Sequence, residues 1–519
     1  MNNSIKYAIL IAAAGACLLL AISSCNKDIA PEINYDAFEY ASVDEDAGTW
    51  KTVLLTSPDQ VAVPAPADPA SPEYLAELAA LKAASASPNA EQMDKINKWS
   101  TNGFIRWNQV ARELTAKYFI FSKPNEDGSY SLPSAAHPDQ YPLFPLSTPP
   151  YAVRAYAYLS AGSFDALVAA WHYKYQYDRM APSAYDASIA THLPVQSLPS
   201  YPSEDAVIAG FSRTLLTAMF PNEAAYLAQL ATEHENTRLW AGMNVSSDLA
   251  AGDSLGRKIA GVFLARAKSD GMGATLGNPA VWDSITAAQT ATGKPIWESL
   301  ENPPRPMLAP NFGYVKPWTV TTAEVQTTYR LPAPPAVGTA EFQEALDEVL
   351  HFSKNATRDE QHIALRWDDG TSTYTPPGHW NWIAEPFVHD AHLSPLRAAR
   401  VYAYLNMAME DAGIAVWDNK YFYFFPRPTN INPDIKTIVP IPNFPSYPSG
   451  HSGFSAAGAA VLGHFFPADA AYFTAEAQEA ALSRLYGCIH YRFDCDEGYT
   501  LGEQIAQKAV GLAVQDGGE

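Results

Sequence analysis

Eight residues within the last hundred of this 519-residue chain are of the types that hold and process a multiply charged oxyanion. Lys420 and Arg427 flank the run YFYFFP. Ser449, Gly450 and His451 stand where a proline-rich stretch, FPSYP, gives way to an Ala-rich one, and Arg484, His490 and Asp494 come last. The three basic residues offer fixed positive charge to non-reacting oxygens. Where a loop enters a helix, backbone N–H groups and the helix dipole point outward, which makes Ser449 and Gly450 a second kind of anion donor. His490 and Asp494 are four apart, so on a helix the carboxylate would hold one imidazole nitrogen and free the other. His451 is a second imidazole, suited to giving or taking a proton. Each residue alone has an ordinary alternative: lone basic residues bridge helices in salt bridges, and most histidines are hydrogen-bonded core residues.

Such a set needs rigid supports, and the pattern around it is helical. Ala398 to Trp417 is Ala-rich, carries aliphatic and aromatic residues at three- and four-residue spacing, and has no internal proline. Ser452 to Phe465 is rich in small residues and stops at Pro467. Alternating β-branched runs are scarce, and proline clusters punctuate the helices. The reading is an all-α protein.

The chain also repeats itself. Displaced by 246 positions, the segment beginning AVRAYAYL at Ala152 overlies AARVYAYL at Ala398, and the two PSYPS stretches coincide. TRLWAGMN from Thr237 overlies SRLYGCIH from Ser483. Upstream, at slightly different shifts, Trp99 and Trp107 meet Trp367 and Trp380. Repetition on this scale predicts two tandem helical bundles from an internal duplication. The first copy then serves as a control for the second. Lys174, Ser203, Arg238 and Asp248 match Lys420, Ser449, Arg484 and Asp494. Ala181, Glu204, Asp205 and Asn244 stand opposite Arg427, Gly450, His451 and His490. The first copy keeps a scaffold and loses both histidines and one arginine. It gains two acids where an anion would sit, so the chemistry belongs to the second.

Bulk properties narrow the class. A net charge of −21 leaves nothing to neutralise a nucleic-acid backbone, although a local basic pocket for a small anion remains possible. The N-terminal run YAILIAAAGACLLLAI reads as the apolar core of a signal peptide, too short for a confident membrane span. Ile22-Ser23-Ser24-Cys25 resembles a bacterial lipobox, which makes Cys25 the expected lipidation site and first mature residue. Residues 1–25 are thus read as a lipoprotein signal, 26–72 as a tether and 73–290 as the degenerate bundle. A connecting segment, 291–340, leads to the catalytic bundle, 341–519. The expected location is extracytoplasmic, in the periplasm or at the cell surface, touching the membrane only through the lipid. Of the remaining cysteines, Cys488 and Cys495 would be about 10 Å apart on one helix; a disulfide between them, permitted by that compartment, requires a helix boundary.

Lys420 through Arg427-Pro428, then Pro448-Ser449-Gly450-His451, then Ser483-Arg484 through His490 to Asp494 fit a three-part signature. It resembles that of the superfamily joining type 2 phosphatidic acid phosphatases, bacterial acid phosphatases and vanadium haloperoxidases. The resemblance implies that Lys420, Arg427, Ser449, Gly450 and Arg484 clamp the oxygens of phosphate or vanadate. It makes His490 the axial group, vanadium ligand or phosphorus nucleophile, with Asp494 orienting it and His451 as general acid–base. Trp417 and Phe444 stand where the chloroperoxidase type has its halide-side aromatic pair, which leans the expectation toward peroxide-driven halide oxidation at a vanadate cofactor. Acid phosphatase action on a phosphate ester, with no cofactor, uses the same residues and is the alternative. A lipid-anchored binding protein without turnover is the third. In every case the partner is a small molecule.

Overall fold

A computed structural model describes residues 35–519 apart from Thr101. All regular secondary structure among them is helical. The first half contains α1 (Pro72–Ser85), α2 (Ala90–Ser100), α3 (Gly103–Tyr118), α4 (Pro149–Tyr177), α5 (Glu204–Met219), α6 (Ala224–Trp240) and α7 (Ser246–Ala267). After α8 (Pro279–Thr290), the second half runs α9 (Ala340–Asn355), α10 (Arg358–Arg366), α11 (Thr375–Asp390), α12 (Pro395–Tyr423), α13 (Gly450–Phe465), α14 (Ala470–Tyr486) and α15 (Arg492–Ala513). The bounds of α4 to α7 recur in α12 to α15 at a displacement of 246 residues at both ends of every helix.

Helices α4 and α12 explain why the halves are not separable bodies. Each is 29 residues long and opens with proline in its first turn, where the missing N–H costs nothing. Ser394 caps α12 by accepting the Arg397 N–H. Both helices end on a left-handed residue, Asp178 and Phe424, each at φ +48°. Nearly every position of both is buried, and they pack on one another through a shared hydrophobic core. Their polar residues pair in equivalent ways. Arg154 binds Asp270 at 2.6 Å and Arg400 binds Asp516 at 2.8 Å, while Ser160 accepts a hydrogen bond from Asn406 at 3.0 Å where the two helices meet.

Residues 35–72 correct the predicted tether. Ala47, Trp50, Leu55 and Val63 are buried in the core, and the Asp165 carboxylate on α4 accepts the N–H groups of Val53, Leu54 and Leu55 at 2.6, 2.8 and 2.9 Å. An Asp/Pro/Ala-rich composition hid four apolar anchors; the segment is a strap, not a leash. In the connecting segment Trp318 and Thr319 donate backbone N–H groups to Asp411 on α12, the position matching Asp165. Cys25 and residues 26–34 lie outside the described residues. No helix of the described residues is long and apolar enough to cross a membrane.

Two glycines set how closely α15 approaches the start of α13. A Cβ on Gly498 would lie 2.5 Å from the Ser449 carbonyl oxygen, and one on Gly502 would lie 2.2 Å from that of Gly453. Backbone contact this tight brings the first turns of both helices into one place.

Candidate active site

The converging ends of four helices carry the site. Lys420 lies in the last turn of α12 and Arg484 in that of α14. Ser449 is the N-cap of α13, its hydroxyl accepting the Ser452 N–H at 3.4 Å, and Gly450 and His451 begin that helix. Arg427 ends the loop after α12 and caps the short helix Pro428–Ile431. His490 stands in the turn before α15, and Asp494 is in the first turn of α15. The His490–Asp494 pair is therefore not built on one helix, as spacing alone suggested. It forms across a helix N-terminus, where Asp494 also accepts the Tyr491 N–H at 3.1 Å.

Elsewhere in the protein buried cations are matched with carboxylates. Arg112 binds Glu385 at 2.6 Å, Lys174 binds Glu204 at 2.8 Å, Arg238 binds Asp205 at 3.2 Å, and Arg179 pairs with Asp248. Lys420, Arg427 and Arg484 are at most 1% exposed, yet among the described residues none has a carboxylate oxygen within 4.0 Å. Within hydrogen-bond reach they meet only neutral groups. Lys420 Nζ donates to the carbonyls of Pro445 (2.9 Å) and Ser446 (2.7 Å). Arg427 Nε donates to the Phe444 carbonyl (3.0 Å) and its Nη1 to that of Ile489 (2.7 Å), while Nη2 is buried without a partner. Arg484 donates to the Ser483 hydroxyl (2.9 Å) and the Ala364 carbonyl (3.0 Å). Burial, with Arg484 adding repulsion, pushes Arg427 down to about 9, and burial likewise lowers Lys420 and Arg484. Three buried cations with no carboxylate in contact, and only the longer-range field of Asp494, Asp368 and Asp369 to offset them, are costly unless an anion joins them.

The imidazoles are prepared in different ways. His490 Nδ1 lies 2.9 Å from Asp494 Oδ2, which also accepts the Ser446 hydroxyl at 2.5 Å. That bond assigns the His490 proton to Nδ1 and leaves Nε2 unprotonated, its lone pair accepting from Arg427 Nη1 at 3.4 Å. Burial and the three cations hold His490 well below the usual imidazole range, so it is neutral at pH 7. Burial pushes Asp494 up to about 6. His451 bonds the Trp367 carbonyl, and its Nε2 is buried without a partner, 3.9 Å from Asp369 Oδ2.

Ser446 and Asp369 were not singled out from the sequence. Ser446 carried a signal nonetheless: it is the first serine of the repeated PSYPS, and its counterpart Ser200 lies 3.3 Å from Asp248.

In the first half the corresponding place is internally neutralised. Glu204 binds Lys174, Asp205 binds Arg238 and, at 3.0 Å, His234, while Asn244 is tied to Ser200 and Ser203. Tyr40, on the strap and half-buried, lies beside Glu204, Asp205 and Arg238.

The aromatic pair divides. Phe444 is half-buried with Lys420 Nζ 5.0 Å and Arg427 5.1 Å from its ring centre, so it borders the cations. Trp417, 5.1 Å from Phe444, is 1% exposed and points its N–H at the Leu308 carbonyl, 3.4 Å away. Trp171 does the same with Val43. Trp417 therefore packs behind Gly450 as core, and its N–H is not presented to the cation cluster. The cysteine pair is also corrected. A helix boundary does separate Cys488 from Cys495, but both are free buried thiols; Cys488 Sγ faces the carbonyls of Val349 and Tyr486, and Cys495 faces Ser452.

Residues 401–510 match the family model described as the PAP2 superfamily. No curated protein matches the chain. Among solved structures, a bacterial vanadium-dependent iodoperoxidase is similar with a TM-score of 0.58 and 20% identity, over 82% of this chain and 97% of that one. A holo-type bacterial vanadium-dependent chloroperoxidase is similar at TM-score 0.52 and 14% identity (74% and 97% covered), and an apo-type one at 0.51 and 13% (70% and 94%). At these identities the likeness is one of fold.

Proposed function

Since residues 401–510 match the PAP2 superfamily model, we propose that this chain is an oxyanion-handling enzyme of the vanadium haloperoxidase type. The observation that carries the reading is the buried trio Lys420, Arg427 and Arg484, the only cations among the buried ones described above that lack a carboxylate. A vanadate anion fits this donor set. The three cations, the Ser449 hydroxyl and the Gly450 N–H would hold its oxygens, and His490 Nε2 would be its protein ligand. Bound there, vanadate would supply the Lewis acidity that activates peroxide toward halide oxidation.

The chain's own residues do the rest. Asp494 and Ser446 keep the His490 proton on Nδ1, so Nε2 always faces the anion. Arg427 Nη2, orphaned in the protein, has an anion oxygen as its natural partner. Phe444 covers the cations and limits water, which strengthens their field. His451, whose Nε2 is buried without a partner, moves protons to and from the reacting oxygens.

The unprotonated His490 Nε2 supports a second reading, phosphomonoester hydrolysis. Its lone pair would attack phosphorus, the ester oxygen would leave with a proton from His451, and water activated by His451 would then release phosphate. A binding protein without turnover is the reading left if both chemistries fail while an anion still binds. We place the enzyme outside the cytoplasm, anchored by a lipid on Cys25.

The deciding experiment uses one metal-stripped preparation, assayed with and without orthovanadate. Vanadate should abolish hydrolysis of an activated phosphate ester and create peroxide-dependent halide oxidation. Inhibition without halide oxidation at any pH favours the phosphatase.

A further inference from the structure

His451 is joined to a second histidine through a carboxylate. Asp369, 8% exposed, lies 3.9 Å from His451 Nε2 on one side. On the other, its two carboxylate oxygens lie 3.1 and 3.2 Å from His379 Nδ1. Asp369 adopts φ +43°, a left-handed conformation that residues with side chains seldom take, so the surrounding structure enforces its place between the imidazoles. His379, on α11, stacks on Trp367 with ring centroids 4.3 Å apart. Its far side meets Trp382, 5.8 Å away, which is 37% exposed. The chain His451–Asp369–His379 thus runs from the anion site toward the surface, and neither Asp369 nor His379 belongs to the clamp.

A carboxylate between two imidazoles passes a proton by accepting it on one oxygen and releasing it from the other. The 3.9 Å gap at His451 is the kind of catalytic separation that tightens when a reactant binds.

We propose that Asp369 and His379 are relay residues that reload His451. After His451 gives up its Nε2 proton, His379 takes a proton at Nε2 from solvent as its Nδ1 proton moves to Asp369 and the Asp369 proton moves to His451 Nε2; exchange of the His379 Nε2 proton with solvent and rotation of the ring return it to the Nδ1–H tautomer for the next transfer. No electrons change hands. The proposal rests on His451 acting as acid–base in the function above. The first half shows what a mere brace looks like. There His234 stacks on Trp99 at 4.2 Å and bonds Asp205, but Arg238 closes that carboxylate off.

A test on the full-length protein separates relay from brace. His379→Gln still donates a hydrogen bond to Asp369 but cannot shuttle a proton; His379→Ala leaves room for added imidazole. Both should lower kcat for p-nitrophenyl phosphate, or for vanadate-dependent halide oxidation, by about tenfold or more, with KM and the calorimetric Kd for inorganic phosphate within about twofold of wild type. Imidazole should rescue His379→Ala but not His379→Gln. Wild-type kcat in His379→Gln overturns the relay. If the wild type turns over neither substrate, the functional reading itself has failed, and the relay is judged on histidine-selective 15N spectra. Asp369→Asn and His379→Gln should each then move the His451 Nε2 resonance, and a resonance unmoved in both overturns it.

Discussion

Arg427 carries the sharpest demand for an anion at the scale of single residues, because burial beside Arg484 has pushed it down to about 9 with one nitrogen unpartnered. Lys420 is lowered in the same way. An anion restores both, so their affinity for protons is lower in the free protein than in the complex. Binding must then take up protons, and affinity is fully present below about pH 9 and declines as pH rises through it. Phosphate calorimetry in two buffers of different ionisation heat should show that uptake near pH 9; proton release there contradicts the assignment. Ser446→Ala should cost about 1–3 kcal/mol of stability in thermal unfolding by leaving Asp494 short of a donor, and should weaken phosphate binding through a looser His490. Spacing alone made the cations, Ser449, Gly450 and both histidines legible. Ser446 was not, because a serine among prolines reads as a turn. Asp369 was not, because its position depends on a left-handed turn far upstream of the motifs. The turn of the Trp417 N–H toward the Leu308 carbonyl was not legible from its distance to Lys420, although Trp171 repeats it at the matching position.

Helix packing decides whether those residues meet. Gly498 lets α15 touch the backbone of Ser449, and Gly252 does the same for α7 at Ser203, where a Cβ would lie 2.4 Å from the carbonyl oxygen. Gly498→Ala and Gly252→Ala should therefore lower stability by similar amounts, on the order of 1–3 kcal/mol each, read as similar falls in melting temperature. Only Gly498→Ala should also lose phosphate affinity, because only there does the displaced helix end hold an anion donor. Equal losses of affinity would mean that both halves shape the site. The helices themselves were readable from periodicity and proline punctuation. The strap from residue 35 was not, since Trp50, Leu55 and Val63 are too widely spaced to show a period and are ordered by distant partners, Asp165 on α4, the Asp516 carbonyl that accepts the Lys51 N–H, and Arg397, which pairs with Asp44.

For the molecule as a whole, two architecturally matching halves differ in charge balance. The first supplies its own anions, Glu204 and Asp205; the second leaves three cations waiting for one. Titration of the metal-free protein with orthovanadate, followed by calorimetry, measures that difference directly. The account predicts one vanadate per chain, binding lost in His490→Ala and in Arg427→Ala, and no change on Asn244→Ala. Two vanadates per chain, or undiminished binding in His490→Ala, would contradict it.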